Sequence, residues 1–371
     1  MAASLPTTFK AVVTQSDLTL KVEEIPSIAA EQGVPAGNIL VKVKAVGINP
    51  IDWTYAYNER FHYPHRVLGC DLSGDVVALG ADVTHFRLGD RVAGVVHGCQ
   101  VEGNGAFAEY VLLKELAAFR MPAGMRYEEG AAWGIADFTY LLAACVYHGL
   151  PLPSLSSPTP TRNEAVFIWG GATSIGWHAI QLAKLLGLKV LTVASSKHHA
   201  TLREIGADEV YDYKDVDVVD RLKKTVQEWG NVKYGFDAVT GGGTTENSVD
   251  ILAETPGGAH LCVVLPAGLS AEHRNPSVKV TSISGFTLLG DAYSMARVRH
   301  FAPEEAHAQL YGEYNHAVLP RILEGWTSPR GSAHFRAQKL IEIKGGLEKV
   351  DEAVLQLHHD GVSGEKIVIT L

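Results

Sequence analysis

Cysteine is scarce in this chain: Cys70, Cys99, Cys145 and Cys262 are spread over 371 residues with no Cys-x-x-Cys pair. That spacing excludes a disulfide scaffold and a cysteine-built zinc knuckle, and it predicts reduced, packed thiols. No apolar stretch reaches the length of a membrane span, and the opening MAASLPTTFK lacks the apolar centre of a secretory signal. A soluble, cytoplasmic protein is expected. Positive charge is also short, with 32 Lys and Arg against 41 Asp and Glu for a net charge of −9. Neither nucleic acid nor an anionic membrane surface is an expected partner. Internal repeats and low-complexity tails are missing too. What is there, 46% hydrophobic and 20% charged residues, is ordinary globular composition with length enough for two domains.

The first 120 residues read as β-rich. KAVVTQ (10–15), LTLKVEEIP (18–26), ILVKVKAVGINP (39–50), SGDVVALG (73–80), DRVAGVV (90–96) and AFAEYVLL (106–113) alternate or run apolar between Gly, Asp and Pro. Residues 128–148 carry a helical pattern, and GLPLPSLSSPTPTRNE (149–164) reads as a surface loop. Strands are then expected at 165–169, 189–194, 209–212, 235–240, 259–265 and 283–289. Helices are expected near 175–187, 197–206, 216–229, 244–254 and 305–325. Such alternation is the mark of an α/β fold, a doubly wound parallel sheet. The last 24 residues read as a helix, a glycine turn and a strand that returns to the first domain.

VFIWGGATSIGWHAIQLAKLLG (166–187) carries the chemistry. An apolar strand enters a glycine pair, and a helix follows with Ile175, Ala179, Leu182 and Leu186 on one face. A tight strand-to-helix turn aims unpaired N–H groups at a pyrophosphate. Gly171 and Gly176 fit the first and third glycines of the dinucleotide fingerprint, while Thr173 holds the middle one. A side chain there keeps the backbone further from a pyrophosphate, so the hydroxyls of Thr173 and Ser174 are candidate contacts, flanked by Ala172 and Ile175. The competing reading is a turn that merely closes a strand–helix unit. After the next strand no Asp or Glu stands ready for a ribose 2′-hydroxyl; Ser195, Ser196, Lys197 and His198 stand there instead. Hydroxyls, a cation and helix amides suit a 2′-phosphate, which favours NADPH over NADH. Helix capping by Ser195 or Ser196 is the bland alternative, and it is compatible with phosphate binding. Tyr213, in GADEVYDYKD, is a candidate flank of that phosphate or a structural tyrosine.

These stretches, with KAVGINPID (44–52), LGCDLSGDVVALGADVTHFRLGDRVAG (68–94), GAFAEYV (105–111) and SGEKIVITL (363–371), resemble the medium-chain dehydrogenase/reductase superfamily along essentially the whole chain. The resemblance implies a GroES-like β domain from residues 1–130 and 300–371, with a Rossmann NADP-binding domain, 131–299, inserted. Zinc-dependent members carry Gly-His-Glu where this chain reads Gly69-Cys70-Asp71, and a ligand cysteine near Asn49-Pro50-Ile51-Asp52. His62 and His65 with Cys70 form no convincing zinc set, so a zinc-independent reductase is implied.

Within the superfamily the chain looks like fungal trans-acting enoyl reductases of the lovastatin-pathway type, and like quinone oxidoreductases. GLPLPS, GGAT, Ser-x-His after the second strand and Thr139 carry the former likeness; a lysine of that group is replaced by Thr54. The activity implied is NADPH-dependent reduction of an activated C=C bond on a free or carrier-bound enoyl substrate, with a polyketide synthase as partner in secondary metabolism. The alternatives are a quinone or alkenal reductase, and a non-catalytic NADPH-binding protein. By resemblance Ile51, Asp52, Trp53, Leu265 and Pro266 border the nicotinamide, although Asn49 and Asp52 also suit a turn cap. Phe138, Thr139, Tyr140, Thr287, Leu288, Leu289 and Gly290 border the substrate. A proton donor is sought among Thr54, Tyr55, Tyr57 and Tyr63, with Thr54 and Tyr63 preferred. GFTLLG (285–290) is also a candidate edge strand for a homodimer, against a monomer.

Overall fold

The computed structural model describes residues 5–155, 162–266, 268–270, 273–295 and 299–371. Part of the Pro/Ser-rich loop therefore lies outside the described residues. The chain divides into two compact units, one of residues 1–135, 286–333 and 337–371, the other of 136–285 and 334–336. Residues 286–299, which the resemblance placed in the second domain, fall in the first unit.

The first unit is a mainly antiparallel β assembly. Its first seven strands are β1 (Thr8–Thr14), β2 (Leu20–Pro26), β3 (Asn38–Gly47), β4 (Asp71–Leu79), β5 (Arg91–Val95), β6 (Tyr110–Lys114) and β7 (Ala118–Arg120). In the second unit come β8 (Ala165–Trp169), β9 (Lys189–Val193), β10 (Glu209–Tyr211), β11 (Tyr234–Asp237), β12 (Ala259–Val263) and β13 (Val278–Ser282). The chain then returns to the first unit with β14 (Tyr293–Met295), β15 (Arg299–Phe301), β16 (Lys339–Lys344) and β17 (Glu365–Thr370). A seven-stranded sheet includes the path β16-β17-β3-β4-β5-β7, with β6 also on β3. The closing strand β17 thus pairs antiparallel with β3, Val368 opposite Gly47. Both ends of the sequence build this unit, as the closing SGEKIVITL pattern predicts.

The second unit holds a six-stranded sheet in the order β10-β9-β8-β11-β12-β13, every pairing parallel. The order reverses beside β8, which is where a doubly wound sheet binds ligands at its strand ends. Parallel strands covered on both faces read as unbroken apolar runs. Phe167, Leu191, Val193, Leu261 and Val263 accordingly sit in one core with Leu222, Val226, Val249 and Leu252 from the covering helices.

One strand expectation is overturned. The last strand of the parallel sheet is Val278–Ser282, while Gly285–Leu289 forms a tight 3₁₀ turn. VKVTS has the β-branched alternation of a strand, whereas Phe286 and Leu288 are buried by packing. GFTLLG is therefore no edge strand, and its proposed pairing across a homodimer loses its basis.

Candidate active site

The helix Ser174–Leu185 begins where the chain leaves β8. Thr173 caps it: its Oγ1 donates to Gly170 O at 2.8 Å and accepts from Gly176 N at 2.9 Å. The hydroxyl is spent inside the turn, so the expected contact of Thr173 with a phosphate through its side chain is corrected to a capping role. The glycines are required by close approach. A Cβ on Gly176 would stand 2.2 Å from Gly170 O, and one on Gly171 would stand 2.4 Å from Thr192 Oγ1. The N–H groups of Thr173, Gly176 and Trp177 are used within the turn, and that of Gly171 bonds Val193 O on the neighbouring strand. Those of Ala172, Ser174 and Ile175 meet no acceptor among the described residues. Free amides at the positive end of a helix of 12 residues fit a pyrophosphate.

The neighbouring strand ends bring the other predicted residues together. Ser195 Oγ lies 3.3 Å from the Tyr213 hydroxyl. Ser196 and Lys197 are exposed at the start of a short 3₁₀ turn that includes His198, and Tyr213 is 47% exposed. A carboxylate missed in the sequence shapes this corner. Asp212 accepts from Ser196 N at 2.8 Å and from Lys214 N at 3.0 Å, and these amides hold its pKa below the usual value. Leu265 and Pro266 are exposed just beyond β12. Phe138 packs on Gly285, and Thr139 is buried. Tyr140 belongs to the core: it is fully buried and lies edge-on to Phe236 at 5.1 Å. Its expected place in a substrate pocket wall is corrected accordingly.

In the first unit, the helix Pro50–Tyr57 starts at Asn49, where Asp52 Oδ2 accepts from Asn49 N at 2.7 Å. The capping alternative for Asp52 is thus realised. Burial lifts the Asp52 carboxyl to about 8, against the lowering effect of the Asn49 amide. Below it, Lys366 Nζ donates to Asn49 Oδ1 and, at 3.2 Å, to Asp71 Oδ2. Asp71 also accepts from Asn49 Nδ2 at 2.9 Å and from Ile135 N at 2.8 Å. This buried network stands among the residues that the resemblance aligns with a zinc site. Cys70 is fully buried, and burial pushes its thiol well above the ordinary range. His62 braces its loop through Tyr55 O, Ala56 O and Gln15 O. Among the described residues no group of three or more His, Cys, Asp or Glu side chains could hold a metal ion.

The proposed proton donors fare differently. Thr54 Oγ1 bonds back to Pro50 O at 3.2 Å, and Tyr57 bonds Asp351. Trp53 stacks on His358 at 3.7 Å. The phenol of Tyr63 donates to Ser294 O at 3.2 Å. Tyr55, fully buried, lies 3.0 Å from Nε2 of His97. His97 stacks on Phe286 at 3.8 Å and meets the edge of Tyr293 at 4.6 Å. Phe286 opens the segment assigned to the substrate, where Thr287 Oγ1 lies 3.1 Å from His307 Nδ1 and Leu289 O accepts from Lys114. Leu288 is fully buried and packs rather than lines, a correction to its expected contact. Gly290 closes the turn with φ of +80°. His97 was missed because a lone histidine in GVVHGC reads as core.

Residues 35–123 match the alcohol dehydrogenase GroES-like domain, and residues 174–301 match the zinc-binding dehydrogenase family. The chain is 31% identical to the trans-enoyl reductase pyiC of Pyricularia grisea, over 99% of this chain and 95% of that protein. Among solved structures, the CurK enoyl reductase superposes with a TM-score of 0.71 at 16% identity, covering 98% of this chain and 99% of that one. A quinone oxidoreductase of Pseudomonas syringae gives 0.69 at 20% identity, covering 98% and 100%. The Rossmann half of such a fold implies a nicotinamide cofactor. With a GroES-like unit built from both chain ends and a Rossmann sheet between them in sequence, this chain is an oxidoreductase that belongs to the medium-chain dehydrogenase/reductase superfamily.

Proposed function

We propose that this oxidoreductase uses NADPH to reduce an activated C=C bond, as an enoyl reductase working in trans on a polyketide-like substrate. The observation that carries the reading is the corner of the second unit where free helix amides stand in one turn and Ser195, Lys197 and Tyr213 gather at the next strand end. Ala172, Ser174 and Ile175 hold the pyrophosphate through N–H, and Ser195, Ser196, Lys197, His198 and Tyr213 receive the 2′-phosphate. Asp212 sets the backbone of that corner through Ser196 N. The likeness to a trans-enoyl reductase at 31% identity supports the substrate class and a polyketide synthase as partner.

When bound, NADPH supplies hydride to the β carbon of the conjugated substrate. The protein binds, orients and protonates. By the family resemblance, contact with the nicotinamide is assigned to the backbone of Ile51, Asp52 and Trp53 in the first unit and, separately, to Leu265 and Pro266 in the second. Contact with the substrate is assigned to Thr287, Leu289 and Gly290 in the first unit and, separately, to Thr139 in the second. Tyr63 delivers the proton to the α carbon, giving up its hydrogen bond to Ser294 O, and Thr54, whose hydroxyl is likewise engaged at Pro50 O, is the second candidate.

Two titrations test this. NADPH should bind the wild type at least about 10-fold tighter than NADH, since each charge-assisted hydrogen bond contributes about 1.5–3 kcal/mol. Lys197→Ala should lose most of that preference; equal affinities in the wild type would refute the reading of Ser195 to Tyr213. Single-turnover oxidation of NADPH is then compared on an enoyl-pantetheine thioester and on a simple quinone. Fast quinone turnover with an inert thioester would transfer the assignment to a quinone reductase, the second reading favoured by the 0.69 superposition.

A further inference from the structure

His97 is held by a loop with almost no freedom. It follows β5; a Cβ on the next residue, Gly98, would stand 2.3 Å from Gly69 O, and Cys99 takes a positive φ of 64° while its N–H bonds Val67 O at 2.9 Å. The imidazole is clamped flat between contacts, stacked on Phe286 with an interplanar angle of 4° and capped by the edge of Tyr293. Burial keeps it neutral, its pKa pushed down to about 3. A neutral imidazole carries one proton, and the hydrogen bond made by one nitrogen decides where that proton sits.

Tyr55 decides it here. Its hydroxyl is fully buried, and its single hydrogen-bond partner among the described residues is Nε2 of His97. If Nε2 donated, the phenol proton would be buried with no acceptor, which costs about 1–3 kcal/mol. Tyr55 therefore donates, Nε2 accepts, and the imidazole proton resides on Nδ1. Nδ1–H has no partner among the described residues, although His97 is only 9% exposed. It is a donor awaiting an acceptor, on a ring packed against Tyr293 and against Phe286, which opens the 286–290 segment.

We propose that Nδ1–H of His97 donates a hydrogen bond to the carbonyl oxygen of the conjugated substrate, with Tyr55 as the positioning residue that fixes the tautomer. The assignment rests on the reading of the protein as a C=C reductase. As hydride bonds to the β carbon, the alkene π pair moves to the bond between the α and carbonyl carbons. The carbonyl π pair moves to oxygen, and His97 stabilises that oxyanion without releasing its proton. The oxyanion pair then re-forms the carbonyl as the α carbon takes the phenol proton of Tyr63, and the resulting phenolate is reprotonated from solvent. A fixed donor aimed at developing charge in a dry site contributes more than one in water.

The test uses the full chain with NADPH and a conjugated enoyl-pantetheine substrate. His97→Phe should lower kcat about 100- to 1,000-fold with NADPH affinity unchanged, the usual effect of removing one oxyanion donor. His97→Asn, whose amide nitrogen falls near Nδ1, should recover part of that loss, and His97→Gln should not. Tyr55→Phe should lower kcat with little change in KM. Long-range ¹⁵N NMR of the wild type should show the proton on Nδ1, and Tyr55→Phe should mix the tautomers. A proton on Nε2 in the wild type, or His97→Phe within about 3-fold of wild-type kcat, would overturn the assignment. An active wild type with an indifferent His97→Phe sinks this proposal alone. A wild type that binds NADPH but reduces no conjugated substrate sinks the functional reading with it.

Discussion

Replacing Lys366 by methionine removes the cation of a buried network, the one found there among the described residues, while keeping most of the side-chain volume. Lys366 is 4% exposed and Asp71 is fully buried, so little solvent can take over the charge. At an effective dielectric of about 20, unit charges 3.2 Å apart attract by about 5 kcal/mol, and desolvation has already taken back much of that. What the variant loses is the compensation of Asp71, which costs about 3–5 kcal/mol where a buried pair is broken. Asp71 keeps its donors at Asn49 Nδ2 and Ile135 N, which points to the lower end, about 3 kcal/mol. Two units need not unfold together, so a single melting curve is a poor measure. Hydrogen exchange of amides in β3, β4 and β17 reads the opening of the first unit directly. The double variant Lys366→Met/Asp71→Asn should recover about 2 kcal/mol or more, because the stranded charge is gone. A single-variant loss below about 1 kcal/mol, or a double variant no better than the single, would refute the view that charge compensation holds this strand in place.

Asp52 and His97 give opposite pH slopes. Burial raises the folded pKa of Asp52 from 3.8 to about 8, so the folded state keeps the acid neutral while the unfolded chain ionises. Stability is full below about pH 4 and drains as pH rises toward 8; Asp52→Asn should match the wild type at pH 4 and exceed it by about 2 kcal/mol or more at pH 8, measured by the same exchange. A difference that does not grow with pH would count against a neutral Asp52. Burial lowers the folded pKa of His97 from 6.5 to about 3, so the unfolded chain takes up the proton first as pH falls. First-unit stability should decline between about pH 6.5 and 3, and His97→Phe should flatten that decline, as read by acid titration of exchange rates; parallel limbs would contradict it. Gly176→Ala forces a Cβ to within 2.2 Å of Gly170 O, and calorimetric titration should show NADPH affinity down at least about 10-fold. Unchanged affinity would mean that the turn does not hold the cofactor.

The legible parts of this protein are those written in local periodicity. β8 is an unbroken apolar run, β9 and β12 are mostly apolar five-residue runs, and the three start where expected; β11 is shorter than expected, Tyr234–Asp237 against 235–240. The glycine turn is legible because close approach forbids side chains at specific spacings along one short stretch. GFTLLG failed for the same local reason: a short apolar run suits a buried strand or a buried turn equally, and contact with His97 settles it. The first unit's chemistry is hidden by sequence distance. Tyr55 and His97 are 42 positions apart, Lys366 and Asp71 are 295 apart, and each alone reads as a routine residue of its strand or helix. A buried cation or imidazole acquires meaning only from its partner, because desolvation makes the isolated group untenable and the paired one fixed. The proposed dinucleotide site could be read from one turn, whereas the proposed donor at the substrate needed the fold that brings loop, helix and returning chain to a single imidazole.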